Sequence, residues 1–152
     1  MITIEEIKSA QKQWADGLIH IGEAPSWAEA HARADSMVRA RYAWGNESVL
    51  FAPTKARENQ FRGSIEDAVS YFVGNNPAHP EDKGFALEPW VSVRFENTGF
   101  VCKTDMAIAM GNYFFGTADG SEVKVEFSFA YVRNEDNGLD IQLHHSALPY
   151  SG

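Results

Sequence analysis

The spacing of apolar residues changes once along this 152-residue chain, at Pro89, and that change limits the folds open to it. Upstream, apolar side chains recur at helical spacing behind polar caps. Downstream they alternate with polar residues, the period of a strand. Helices followed by an antiparallel meander make an α+β protein, with helices covering one face of a curled sheet.

The helical half divides into three capped segments. Thr3 and Glu6 form a capping box ahead of Ile4, Ile7, Trp14, Leu18 and Ile21, which predicts a helix over residues 3–22 ending near Gly22. Ser26 and Glu29 open a second helix, with Trp27, Ala30, Ala34, Met37, Val38 and Tyr42 on its apolar face and Gly45-Asn46 as its stop. Val49-Leu50-Phe51, closed by Pro53, reads as a strand or edge segment. Ser64 with Asp67 caps a third helix whose core face is Ile65, Ala68, Val69 and Phe72. Residues 74–82 are turn-rich and read as a loop. No second domain is expected behind it, so the chain reads as one domain over residues 1–152.

In the strand half, Val91, Val93 and Phe95 alternate with Trp90, Ser92 and Arg94, and Asn97-Thr98-Gly99 is expected to turn the chain. Met106–Thr117 reads as a long strand, Asp119-Gly120 as a hairpin turn, and Val123–Tyr131 as its partner. Asn134–Gly138 turns again, and Leu139, Ile141, Leu143 and His145 share one face of the last strand. Met106–Phe115 is apolar on both faces. A central strand of this kind predicts a second copy of the chain against the sheet's outer side, a homodimer.

Composition narrows function mainly by exclusion. Thirteen basic residues against 21 acidic ones leave a formal charge of −8, which repels nucleic-acid backbones and anionic membrane surfaces. A lone cysteine, Cys102, allows neither an internal disulfide nor a cysteine-rich zinc site. No H-x-H or HExxH pattern occurs, and neighbouring His144 and His145 point to opposite faces of a regular strand, so neither a metal nor another cofactor is expected. The start of the chain shows neither a basic segment nor an apolar run, and no stretch is long enough to span a bilayer. A cytoplasmic protein is expected, although one whose signal peptide had been removed would look the same.

Three stretches carry a family resemblance: Phe51-Ala52-Pro53 with Phe61-Arg62-Gly63 and the helix Ile65–Phe72, the hairpin Val123–Leu143, and the closing His145-Ser146 with Pro149. Their order resembles the nuclear transport factor 2-like superfamily. That superfamily includes SnoaL-like cyclases, ketosteroid isomerases and the association domain of calcium/calmodulin-dependent protein kinase II. The resemblance implies a cone: N-terminal helices on a strongly curved antiparallel sheet, often enclosing a ligand pocket. The chain departs from the pattern in placing Leu139 where the family usually has Trp, and no basic pocket is carried over.

The candidate pocket residues are His145, Tyr42, His31, Asp35, Tyr131 and Asn112. His145 continues the Leu139–Leu143 face and could move a proton near neutral pH; a hydrogen-bonded histidine at the strand end is the alternative. His31 and Asp35 stand one helical turn apart, where an aspartate could orient an imidazole, and the competing reading is a boundary pair on the helix surface. Tyr42 and Tyr131 offer phenols, or core aromatics with a polar tip. Asn112 depends on hairpin register, which sets either Ser128 or Phe129 inward. Arg41 and Arg94 read as solvated charges. The leading expectation is a small-molecule-binding domain, oligomeric, with its ligand unidentified. The alternatives are a cofactor-free isomerase, dehydratase or cyclase using a pocket histidine, and a pure assembly module.

Overall fold

A computed structural model describes residues 1–152. The elements run α1 (Ile4–Gly22), α2 (Trp27–Arg41), β1 (Leu50–Ala52), α3 (Ile65–Val73), a 3-10 turn (Phe85–Leu87), β2 (Ser92–Cys102), β3 (Met106–Gly116), β4 (Glu122–Arg133) and β5 (Leu139–Ala147). The three N-caps form as the sequence predicts. Thr3 and Glu6 satisfy each other's backbone N–H, and Ser26 and Ser64 accept from the N–H of Glu29 and Asp67.

The sheet order is β1-β5-β4-β3-β2. Strands β2 to β5 form an antiparallel meander, while β1 joins its edge parallel to β5. The sheet is therefore mixed, where the sequence predicts an antiparallel one: β1 reaches the sheet from the helical half and has no tight hairpin to reverse it. Helix α1 crosses the concave face and buries Ile7, Trp14, Leu18 and Ile21 against inward residues such as Tyr113, Phe127 and Phe129. This is the α+β cone with helices on a curved sheet.

Asn97-Thr98-Gly99 is not a turn. β2 runs straight through it, and its register with β3 shifts between Asn97 and Gly99, which marks a bulge at Thr98. Asn and Gly suit a bulge for the same conformational reasons that suit them to turns. Across the ladder, a Cβ on Gly111 would stand 2.1 Å from the Glu96 carbonyl oxygen, so the strands approach closely only because Gly111 has none. Asn97, beside the bulge, exchanges two amide hydrogen bonds with Gln11 (2.7 and 3.0 Å), fastening α1 to the sheet.

A buried arginine fixes the loops at the open end. Arg62 is fully buried, and its two Nη atoms donate to both carboxylate oxygens of Asp82 at 2.8 and 2.7 Å. Asp82 also accepts the Ser70 hydroxyl at 2.5 Å, and Arg62 Nε donates to the Asn59 carbonyl at 2.7 Å. Next to it the Glu81 carboxylate accepts the backbone N–H groups of Arg57, Glu58 and Asn59. These amides hold the Glu81 carboxyl down at about 2. The segment after β1 and the loop after α3 are thereby locked together.

Candidate active site

The inward face of β5 changes hands partway along the strand. Tyr131 pairs with Ile141 but Ala130 pairs with Leu143, so Gln142 is an extra residue opposite the β4 backbone. A strand with one inserted residue reverses its alternation from that point on. Leu139 and Ile141 face the core before the bulge; His144 and Ser146 face it afterwards. His145 lies on the exposed outer face. Unbroken alternation would aim His145 inward; the inserted residue corrects that expectation, and the inward histidine is His144.

His144 lies between the rings of Phe51 (4.9 Å) and Phe129 (4.2 Å), stacked on both. Its two nitrogens sit in a continuous hydrogen-bonded chain. Trp14 Nε1 donates to Tyr42 Oη (3.1 Å), and Tyr42 Oη lies 2.8 Å from His144 Nδ1. On the far side His144 Nε2 lies 3.0 Å from Tyr113 Oη, and the Tyr113 hydroxyl donates to Ser146 Oγ at 2.5 Å. Ser146 Oγ is 2.6 Å from Thr54 Oγ1. Burial, and secondarily the nearby His145, pulls the His144 pKa down to about 3, so the ring is neutral at physiological pH. Burial pushes the Tyr42, Tyr71 and Tyr113 phenols well above their usual value.

The chain of hydrogen bonds ends at a small cavity of about 10 Å³, room for about one water. Thr54, Tyr71, Tyr113, Ser146 and His144 supply its polar wall, and aromatic carbon from Trp14, Phe51, Phe72 and Phe85 supplies the rest. Tyr71 Oη accepts the Lys55 backbone N–H at 3.1 Å, which leaves its own proton free to point inward. Tyr71 and Phe85 also line a wider, open cleft with Lys55, Glu81 and Lys83. That cleft is larger, but the convergent hydroxyls lie in the smaller cavity, which defines the site by its chemistry. Nowhere in the chain do three His, Cys, Asp or Glu side chains come together as metal ligands would.

Of the six residues expected in a pocket, the site takes Tyr42 alone, and as a support behind His144. Tyr42 is the cap residue of α2, in extended conformation, and that turns its ring inward. His31 is exposed and rests on Trp27 (centroids 5.1 Å apart), while Asp35 pairs with Arg39 at 2.9 Å; the two line a shallow groove beside α3, outside the cone. They fail to reach the sheet because Ala30, Ala34, Met37 and Val38 form the buried stripe of α2. Tyr131 is buried deeper in the cone with its hydroxyl unpartnered, stacked on Phe129 away from the cavity. Asn112 falls on the outer face between buried Gly111 and Tyr113, and the hairpin register sets Phe129 inward and Ser128 outward. Arg94 is solvated as expected, paired with Glu96 and Glu122.

A cone of this topology has the fold of the nuclear transport factor 2-like proteins. Solved structures bear this out at the level of fold. A putative calcium/calmodulin-dependent protein kinase II association domain from Xanthomonas campestris superposes with a TM-score of 0.61 (18% identity, 99% of this chain and 91% of that one). A putative dehydratase of the same fold from Streptomyces avermitilis superposes at 0.55 (12% identity, 97% and 96%). Sequence comparison goes further. Residues 5–148 match the family model of metal-independent carbonic anhydrase, and the chain belongs to that family. The metal-independent carbonic anhydrase of Nostoc sp. (strain PCC 7120) is 35% identical over 98% of this chain and 75% of its own length. The crystal structure of a cyanobacterial iota-carbonic anhydrase complexed with bicarbonate superposes with a TM-score of 0.95 at 34% identity, covering 99% of this chain and 94% of that one. Membership in an enzyme family overturns the expectation of a binding domain for an unidentified ligand, and neither the isomerase, dehydratase or cyclase reading nor the assembly-module reading replaces it.

Proposed function

We propose that this chain catalyses the reversible hydration of carbon dioxide to bicarbonate in the cavity walled by Thr54, Tyr71, Tyr113, Ser146 and His144. The observation that carries the reading is the pairing, in one small space, of hydroxyl donors with aromatic carbon. Carbon dioxide is apolar and suits the Trp14, Phe51, Phe72 and Phe85 wall, whereas bicarbonate is a small anion and suits the hydroxyls. The bicarbonate complex of the similar cyanobacterial enzyme supports the same assignment.

In the hydration direction a water oxygen attacks the carbon of carbon dioxide. A C–O bond forms, one C=O electron pair moves onto oxygen, and one water proton departs, leaving HCO3⁻ and H⁺. The developing carboxylate accepts from the Tyr71 hydroxyl and from the free proton of the Thr54–Ser146 pair. Preset donors of this kind stabilise charge as it forms, because they need no reorientation at the moment of reaction. No group in the cavity wall is suited to keep the released proton at neutral pH, since burial holds His144 at about 3. The proton therefore leaves through the open cleft beside Lys55 and Glu81 to solvent or buffer.

Stopped-flow hydration of carbon dioxide followed with a pH indicator tests this. Tyr71→Phe removes a donor from the developing anion and Ser146→Ala disconnects Thr54 from the hydrogen-bonded chain that orients it; each is expected to lower kcat/KM about ten- to a hundredfold, the weight of a hydrogen bond to charge. Activity is expected to survive dialysis against a chelator and to rise with buffer concentration. Absence of any acceleration over buffer alone would defeat the proposal, as would full activity in both variants.

The outer sheet face supports a second reading, of assembly. Val101, Met106, Ile108 and Met110 are 41–59% exposed, side by side on β2 and β3. An apolar strip of this kind on a curved sheet fits a second copy of the chain, and we propose a homodimer through it.

A further inference from the structure

We infer that Trp14 is a positioning residue: its indole N–H fixes the direction in which the whole hydrogen-bonded chain behind the cavity donates. This rests on the proposed reaction only for its kinetic consequence.

An indole N–H donates and never accepts. A phenolic O–H lies in the plane of its ring and has two orientations there, because the oxygen is conjugated with the ring. At Tyr42 one direction faces Trp14 Nε1 (3.1 Å) and the other faces His144 Nδ1 (2.8 Å). The Trp14 proton occupies the first, so the Tyr42 proton must point at His144 Nδ1. A neutral imidazole that accepts at Nδ1 carries its proton on Nε2. His144 Nε2 then donates to Tyr113 Oη (3.0 Å), and Tyr113 must spend its own proton on Ser146 Oγ (2.5 Å). Ser146 and Thr54 share one hydrogen bond (2.6 Å) and hold two protons, so one of those protons is left over for the cavity. Every link is buried except the last: Trp14, Tyr42, Tyr113, His144 and Ser146 are each at most 4% exposed, and Thr54 is partly open. Solvent therefore cannot supply a substitute donor inside the chain.

Without the indole proton the phenol of Tyr42 can flip. It then accepts from Nδ1–H, Nε2 becomes an acceptor, Tyr113 donates to His144, Ser146 to Tyr113, and Thr54 to Ser146. In that order the Thr54–Ser146 pair turns lone pairs toward the ligand. An anion meets acceptors where it needs donors. One buried side chain, joined by hydrogen bonds to the cavity's hydroxyl pair through Tyr42, His144 and Tyr113, thus decides whether the site is built for an anion. The indole also packs on its neighbours, with its ring stacked on Tyr113 at 5.7 Å and edge-on to His144 at 5.4 Å, so the test must separate its N–H from its bulk.

Two replacements together do so: Trp14→Phe, which removes both, and the benzothiophene analogue of tryptophan placed at Trp14, which keeps the bicyclic ring and lacks the N–H. The primary readout is ¹⁵N NMR of the His144 ring in the ligand-free protein. The wild type is expected to carry the proton wholly on Nε2. Both replacements are expected to move it onto Nδ1 in a substantial fraction, with about a tenfold loss in kcat/KM for carbon dioxide, the effect of one net hydrogen bond. Tyr42→Phe supplies the decisive cross-check. It removes the only acceptor for Nδ1–H, so the double variant Trp14→Phe/Tyr42→Phe is expected to return to the Nε2 form and to be no less active than Trp14→Phe. Damage from lost packing would instead add. A wild-type proton on Nδ1, or an Nε2 proton unmoved by the benzothiophene replacement, would overturn the inference. The tautomer is read without carbon dioxide, so an inactive wild type would count against the proposed reaction alone, and the spectrum would still decide the role of Trp14.

Discussion

His144 makes the stability of this protein depend on pH in a window where few other groups interfere. In the unfolded chain its imidazole titrates near 6.5, and in the folded chain burial holds it at about 3. Between these values the unfolded state binds more protons, so stability is present in full above pH 6.5 and is lost as pH falls toward 3. Each pH unit below 6.5 costs about 1.4 kcal/mol, so lowering pH from 7.5 to 5 is expected to cost about 2 kcal/mol. The carboxyls held at about 2, Glu6, Glu81 and Asp119, lose their contribution only below pH 4.5 and stay outside this window. Asp140, raised by burial, acts in the opposite sense, because the folded state then holds its proton more tightly. A variant comparison cancels such common terms. The measurement is urea unfolding of the wild type and of His144→Gln at fixed protein concentration from about pH 7.5 to 5. The wild-type curve should lose about 2 kcal/mol more than the variant over that range. Parallel curves would refute the claim that His144 is buried and uncharged.

Ile108→Asp sets a charge in the middle of the exposed apolar strip and is expected to yield a monomer by sedimentation where the wild type is a dimer; a monomeric wild type would end the assembly proposal. Arg62→Met strands the Asp82 carboxylate in the interior, for an expected loss of about 3–5 kcal/mol in urea unfolding, and Arg62→Met/Asp82→Leu should recover most of it.

The helical half of the fold is legible in the chain because its signals are local. Thr3, Ser26 and Ser64 cap helices through hydrogen bonds three residues away, and a single window of sequence contains both partners. The strands are also legible as strands. What the chain does not show locally is where their alternation breaks. Nothing in Asn97-Thr98-Gly99 separates a turn from a bulge, since both ask for the same backbone freedom, and only pairing with Met110 and Gly111 decides it. On β5 the two inward sets, Leu139 with Ile141 and His144 with Ser146, have opposite parity. That mismatch is the available sign of an inserted residue, and it is masked because Leu143 is apolar and extends the first set plausibly. Thr54 and Tyr71 give no sign at all. They become neighbours where α3 packs on β1: Phe51 meets Tyr71 and Phe72, and the Lys55 backbone N–H donates to Tyr71 Oη.

The bulge at Gln142 therefore matters for chemistry as well as for register. A regular β5 would present Leu143 and His145 to the cone, and the interior would have one histidine at the strand end with no hydroxyl beside it. Inserting one residue substitutes His144 and Ser146, two residues apart on the same face, so that Tyr113 on β3 can bridge them. Burial between Phe51 and Phe129 then keeps His144 neutral at physiological pH, and a neutral ring can accept at one nitrogen and donate at the other. A carboxylate in its place could only accept, and would turn both Tyr42 and Tyr113 toward itself. Ser146 would then have no donor behind it. The arrangement uses histidine as a fixed relay of hydrogen-bond direction, in an environment that keeps it neutral at physiological pH.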